Sequence, residues 1–181
     1  MEDRDGVVLR CAVVAFKGDS VLLVRRARDG ADDWSLPGGA PRPGESMTSC
    51  ARRQTLEETG LTVEPARIAF VLEAQGPDDA RRAVHLVFLP ALPTRGEPRP
   101  ATEGMEARFV PLSALPALAL RPPVAGHLRA LHAHAPMRTA AYLGNLWRPD
   151  VGQSAGRAVQ ERAGQPASSQ ETTSSGRVRS A

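Results

Sequence analysis

The chain has 181 residues, 41% of them hydrophobic and 24% charged, enough for one buried core and its polar surface. Apolar runs such as Cys11 to Phe16 are far too short to span a bilayer, and Met1-Glu2-Asp3-Arg4-Asp5 lacks the basic-then-apolar order of a secretory leader. Lys and Arg number 23 against 20 Asp and Glu, a net +3. Two of those charges fall beyond residue 150, as Arg157, Arg162, Arg177 and Arg179 less Glu161 and Glu171, so the rest shows no basic footprint for nucleic acid. Cys11 and Cys50 are too few for a disulfide framework and read as buried, reduced thiols. A cytoplasmic protein with no membrane and no nucleic-acid partner is expected.

The β-branched run Val7 to Phe16 and the apolar run Val21 to Val24 flank the turn Lys17-Gly18-Asp19-Ser20, a pattern that predicts an antiparallel hairpin. A Gly/Pro-rich loop follows, Trp34-Ser35-Leu36-Pro37-Gly38-Gly39-Ala40-Pro41-Arg42-Pro43-Gly44. Ser46 is a good N-cap for a helix reaching Thr59, with Gly60 as its C-terminal stop. Ile68 to Glu73, Ala83 to Leu89 and Glu106 to Val110 read as strands. Pro122 to His134 has helical spacing, with Val124, Leu128 and Leu131 on one side. Strands mixed with two helices predict an α/β fold of mixed α+β type, with helices on the faces of a mixed, partly antiparallel sheet.

Tyr142-Leu143-Gly144-Asn145-Leu146-Trp147 is an apolar, aromatic patch that should dock across the domain or onto a second copy, as in a homodimer. Beyond it the chain is mostly Ser, Gly, Gln, Ala and Arg, too poor in apolar surface to offset chain entropy. The expected organisation is therefore one folded domain over 5–148 and a disordered tail over 149–181.

Chemistry concentrates between Gly39 and Leu61. Glu57 and Glu58 are ~100° apart around a helix axis, close enough to face one edge of a cleft. Adjacent carboxylates repel, and a hard divalent cation such as Mg²⁺, which takes oxygen ligands, is the usual agent that holds them together. The preceding Gly38 and Gly39 let backbone approach that ion or a phosphate closely. Arg53 lies four residues before Glu57, the spacing of a helical ion pair. The four histidines, His85, His127, His132 and His134, show no metal-ligand spacing and read as structural or surface residues.

Gly39, Glu45, Arg53, Glu57, Glu58, Gly60 and Leu61 stand where the Nudix hydrolase signature has its fixed residues. The flanks Val21-Leu22-Leu23-Val24-Arg25-Arg26, Trp34 to Gly39 and Glu106-Ala107-Arg108-Phe109-Val110-Pro111-Leu112 also resemble that family, which covers about residues 7–118. The resemblance implies a Nudix-type α/β/α sandwich. It also implies hydrolysis of a nucleoside diphosphate linked to another group, with Mg²⁺, or Mn²⁺ in its place, as cofactor. By that resemblance Gly39, Glu57 and Glu58 hold the metal, Arg53 orients the neighbouring glutamates, and Glu45 belongs to the same network. Arg25, Arg26 and Gly38 are placed to contact substrate phosphates.

The signature departs from the family at two adjacent positions. Gln54 replaces the glutamate that follows Arg53, and Thr55 replaces an aliphatic residue. Glutamine can offer an amide oxygen to a cation but cannot accept a proton near neutral pH, so reduced turnover is expected. Glu103 and Glu106 are the next candidates for a basic or metal-binding carboxylate. The alternative reading is a nucleotide-binding or regulatory module that keeps the fold and has lost catalysis.

Overall fold

The structure, a computed structural model, describes residues 6–28, 31–75, 82–99, 105–134 and 140–146, with the side chains of 26–28 and 31–32 excepted. The described elements are β1 (Val7–Val13), β2 (Phe16–Lys17), β3 (Ser20–Arg28), β4 (Ala31–Ser35), β5 (Gly38–Gly39), α1 (Met47–Thr59), β6 (Pro65–Ala74), β7 (Arg82–Pro90), β8 (Met105–Pro111), a 3₁₀ turn (Leu115–Ala117), α2 (Ala125–Ala133) and β9 (Ala141–Asn145). The expected tail, 149–181, and Trp147 lie outside the described residues, as does Glu103.

The mixed sheet runs β5-β1-β7-β6-β9, with β1 parallel to β7, β6 parallel to β9, and the other pairs antiparallel. A second sheet, β2-β3-β4 with β8 on β3, is antiparallel throughout. Alternation along β1 divides the core. Cys11 and Val13 pack with Cys50 and Ala51 of α1, Leu61, Val63 and Phe88. Ala12 and Val14 pack with Leu72, Val87, Trp34 and the α2 residues Leu128 and Leu131. Helices therefore cover both sides of the mixed sheet, as expected.

The predicted hairpin is corrected in one respect. Val7 to Phe16 is not a single strand: Val14 N–H donates to Phe88 O (2.9 Å), whereas Ala15 O accepts from Leu22 N–H (2.9 Å). The run crosses from one sheet to the other, so the hairpin with β3 contains only Phe16 and Lys17. Trp34 and Ser35 are likewise strand rather than loop, because they pair with Arg25 and Val24 of β3; Trp34 also exchanges backbone bonds with Ala119 (3.0 Å) and Arg121 (2.8 Å). Helix α2 starts three residues later than the pattern predicts, at Ala125 with Val124 as its N-cap, and Pro123 disfavours helical backbone at Pro122 before it. The Tyr142 segment docks within the domain: Ala141–Asn145 adds an edge strand to β6, and Tyr142 Oη donates to Glu73 Oε1 (2.6 Å).

Candidate active site

Helix α1 is held at both ends as its sequence predicts. Ser46 caps it, its Oγ accepting from the Ser49 N–H (3.2 Å), and Gly60 closes it in the left-handed region at φ 69°. A Cβ at Gly60 would also lie 2.5 Å from Arg99 O. Thr55, at the departed aliphatic position, is fully buried, and its hydroxyl donates to Ala51 O (2.8 Å). A polar atom is thus admitted to the core without an unmet hydrogen bond. Thr59 repeats the arrangement on Thr55 O (2.6 Å).

The loop before α1 and one edge of the helix form a network around Arg53. Its Nε and Nη2 donate to the two oxygens of Glu45, both at 2.7 Å, and Nη1 donates to Glu57 Oε2 (3.1 Å). The fork-shaped guanidinium matches a carboxylate in this bidentate way, fixing the rotamers of both. Hydrogen bonds from Arg53 hold the Glu45 carboxyl down at about 2, and Arg53 itself is raised by the same pairing. Arg42 adds a backbone N–H to Glu45 Oε2 (2.9 Å) and a looser side-chain contact to Glu57 Oε1 (3.4 Å).

The neighbouring carboxylates are not equivalent. Glu58 is 7% exposed, and its Oε2 accepts from the Gly38 N–H (2.9 Å). The side chain of Glu57 is 47% exposed and reaches solvent beside the two arginines. Gln54 lies against Gly39 of the loop. A Cβ added at Gly39 would fall 2.5–2.7 Å from the Gln54 amide atoms, so only glycine lets that side chain lie against the backbone here. The oxygen groups of this segment are the Gly39 carbonyl, the Gln54 amide and the carboxylates of Glu57 and Glu58; Gln54 and Glu58 lie against the Gly38–Gly39 backbone, whereas Glu57 turns to Arg53 and Arg42. That set fits a hard divalent cation, which needs one or two carboxylates and takes its other oxygens from water and substrate phosphate. Among the described residues no group of three or more His, Cys, Asp and Glu side chains is placed to hold a metal.

The other predicted residues lie elsewhere. Arg25 on β3 faces Glu106 on β8 across the antiparallel ladder, and the two pair at 2.8 Å. Glu106 also meets Arg108 (3.3 Å), whose guanidinium lies 4.7 Å from the centre of the Trp34 ring. The side chain of Arg26 and all of Glu103 are outside the described residues. Sequence reasoning missed Arg10, Asp33, His85 and Arg121, which line a cavity on the other side of Gly38. One signal was readable: Arg10 interrupts an apolar strand on the same face as Ala12 and Val14.

The NUDIX domain model matches residues 6–131, and the chain belongs to that family, whose hydrolases generally use divalent metal ions. The 8-oxo-dGDP phosphatase NUDT18 of Homo sapiens is 36% identical over 110 residues, 58% of this chain and 32% of that protein. The NAD-capped RNA hydrolase NudC of Stutzerimonas stutzeri (strain A1501) is 31% identical over 124 residues, 66% of this chain and 42% of the relative. The match thus spans less than half the length of either. A NUDIX hydrolase from Nitrosomonas europaea superposes with a TM-score of 0.61 at 23% identity, covering 71% of this chain and 90% of that one, a likeness of fold. Among the described residues no helix is long and apolar enough to cross a membrane.

Proposed function

We propose that this chain is a Mg²⁺-dependent pyrophosphohydrolase that cleaves the phosphoanhydride of a nucleoside diphosphate joined to another group, with turnover reduced by Gln54. Residues 5–148 are its catalytic domain in this reading, and 149–181 its tail. The observation that carries the proposal is the α1 edge where Glu58 and the Gln54 amide lie against the Gly38–Gly39 backbone, with Glu57 beside them in sequence and held by Arg53. Gly39, Gln54, Glu57 and Glu58 would hold the ion, and Mn²⁺ would suit the same oxygens. Mg²⁺, when bound, neutralises charge that develops on the phosphoanhydride oxygens.

The chain's own residues supply position. The Gly38 N–H fixes Glu58, and Arg53, braced on Glu45, fixes Glu57. Glu57 is the carboxylate of this edge open to an attacking water, whereas Gln54 cannot take a proton there. A positioned base is worth ~10²–10⁴ in rate, and its absence from position 54 is the source of the reduced turnover. The same substitution supports the second reading, a nucleotide-binding module without catalysis.

The test is Mg²⁺-dependent product release from a panel including 8-oxo-dGDP, ADP-ribose and NADH. Turnover should fall by ~10²-fold or more in Glu57→Gln and Glu58→Gln. Nucleotide binding without any turnover in the native chain, or activity untouched by both substitutions, would overturn the enzyme reading.

A further inference from the structure

Glu57 is the carboxylate that the proposed metal site has to draw in, and both of its oxygens already accept from guanidinium groups. Arg53 Nη1 donates to Oε2 (3.1 Å), and Arg42 Nη2 donates to Oε1 (3.4 Å). The two arginines are held differently. Arg53 is braced by both oxygens of Glu45 at 2.7 Å, and its side chain is only 18% exposed. Arg42 reaches Glu57 through one long contact, from a side chain that is 66% exposed.

The backbone beneath Arg42 is fixed. Its N–H donates to Glu45 Oε2 (2.9 Å), and its carbonyl accepts from the Glu45 N–H (3.0 Å), which closes a turn. Pro41 and Pro43 flank it, each with φ set by its ring, and Gly44 completes the turn in the left-handed region at φ 78°. A pinned Cα therefore carries a long, solvent-facing guanidinium beside the acids of α1. Position 42 lies between the fixed residues of the Nudix signature, so this arginine belongs to the chain rather than to the family pattern.

We propose that Arg42 couples the metal to the substrate: it opposes a cation at Glu57 until a diphosphate draws its guanidinium away. The inference rests on the reading of Glu57 as a metal ligand. A divalent ion on Oε1 would face the Arg42 guanidinium at close range, and the two cations repel. Arg42 is the partner that yields, because an exposed ion pair is weak, whereas Arg53 is locked in a bidentate pair with Glu45. A diphosphate beside the ion offers Arg42 a better acceptor, since its planar fork matches phosphate oxygens two at a time. Ion and diphosphate thereby favour each other's binding, by the same factor in each direction. Metal alone is held poorly, and metal with a diphosphate is held well.

The test titrates Mn²⁺ alone, followed by electron paramagnetic resonance. It then titrates methylenediphosphonate, a diphosphate mimic that cannot be hydrolysed, in saturating Mn²⁺ by calorimetry. Arg42→Gln should tighten Mn²⁺ alone by ~3-fold, the scale of an exposed ion pair. The same variant should weaken the diphosphonate by ~10-fold, the scale of a charge-assisted contact. Shifts of opposite sign are the readout, because damage to the turn alone would weaken both ligands. Arg42→Lys keeps the charge without the fork, so Mn²⁺ affinity should stay near native and only part of the diphosphonate affinity should return. Any other pattern in Arg42→Gln, or a native chain that binds Mn²⁺ but no diphosphonate, overturns the role of Arg42; a Mn²⁺ affinity that still falls in Glu57→Gln then leaves the metal site standing. Mn²⁺ binding that is absent from the native chain, or indifferent to Glu57→Gln, removes the metal reading and this inference with it.

Discussion

Helices α1 and α2 cover opposite sides of the same sheet and are secured by different forces. Directional bonds pin α1: the Ser46 cap, the left-handed Gly60 and the bidentate Arg53–Glu45 pair. No side chain caps the N-terminus of α2, His134 Nδ1 meets Ala130 O (3.0 Å) at its other end, and the helix is held chiefly by Val124, Leu128 and Leu131, which are 2%, 0% and 6% exposed. Apolar contact has no direction, so it fixes how deeply a helix sits better than how it is turned. Carboxylates that must converge on one ion need their orientation fixed as well. The helix that bears the acids therefore has the charged, bidentate frame, and the helix that closes the core has only the histidine contacts His132–Gly18 O (3.1 Å) and His134–Ala130 O (3.0 Å).

The contrast predicts which substitutions damage stability and which alter rate. Leu128→Ala should cost the most, about 3 kcal/mol of unfolding free energy in urea, through lost burial and the cavity left behind. Its kcat in the cold should stay near native; a large loss of kcat in folded protein would show that α2 also sets the site. Gln54→Glu acts in the opposite sense. It restores a carboxylate beside Gly39 and should raise kcat by ~10²-fold, with little change in melting temperature. An unchanged rate would move the proton acceptor off α1, to Glu106 first among the described carboxylates. Ser46→Ala should cost only ~1 kcal/mol, concentrated in faster amide exchange over the first turn of α1.

Local signals made α1 readable. Ser46, Gly60 and the spacing from Gly39 to Leu61 depend on residues near in sequence, and the structure has the helix at Met47–Thr59. The strands β6, β7 and β8 were also legible, each extending a residue or more past its predicted limits. What escaped depends on distant partners. Nothing within Val7 to Phe16 announces that Val14 bonds to Phe88 while Ala15 bonds to Leu22. The pairing of Arg25 with Glu106 follows from the β3–β8 register, which sets them opposite each other although 81 residues separate them. The Arg10 cavity needs five strands and the segment before α2 to assemble, so its residues are scattered from position 10 to position 124.

Cys11 and Cys50 give the molecule a built-in clock. Both thiols are 0% exposed and lie where α1 meets β1, Cys50 pointing its Sγ toward Gly39 O at 3.5 Å. Burial pushes Cys11 up to about 12 and raises Cys50 as well, so neither reacts while covered. An alkylating reagent can reach them only when α1 parts from the strand beneath it, and that excursion also displaces Glu57 and Glu58, the acids of the proposed site. The pace of thiol labelling then counts how often the site dismantles itself, using sulfur the chain already carries.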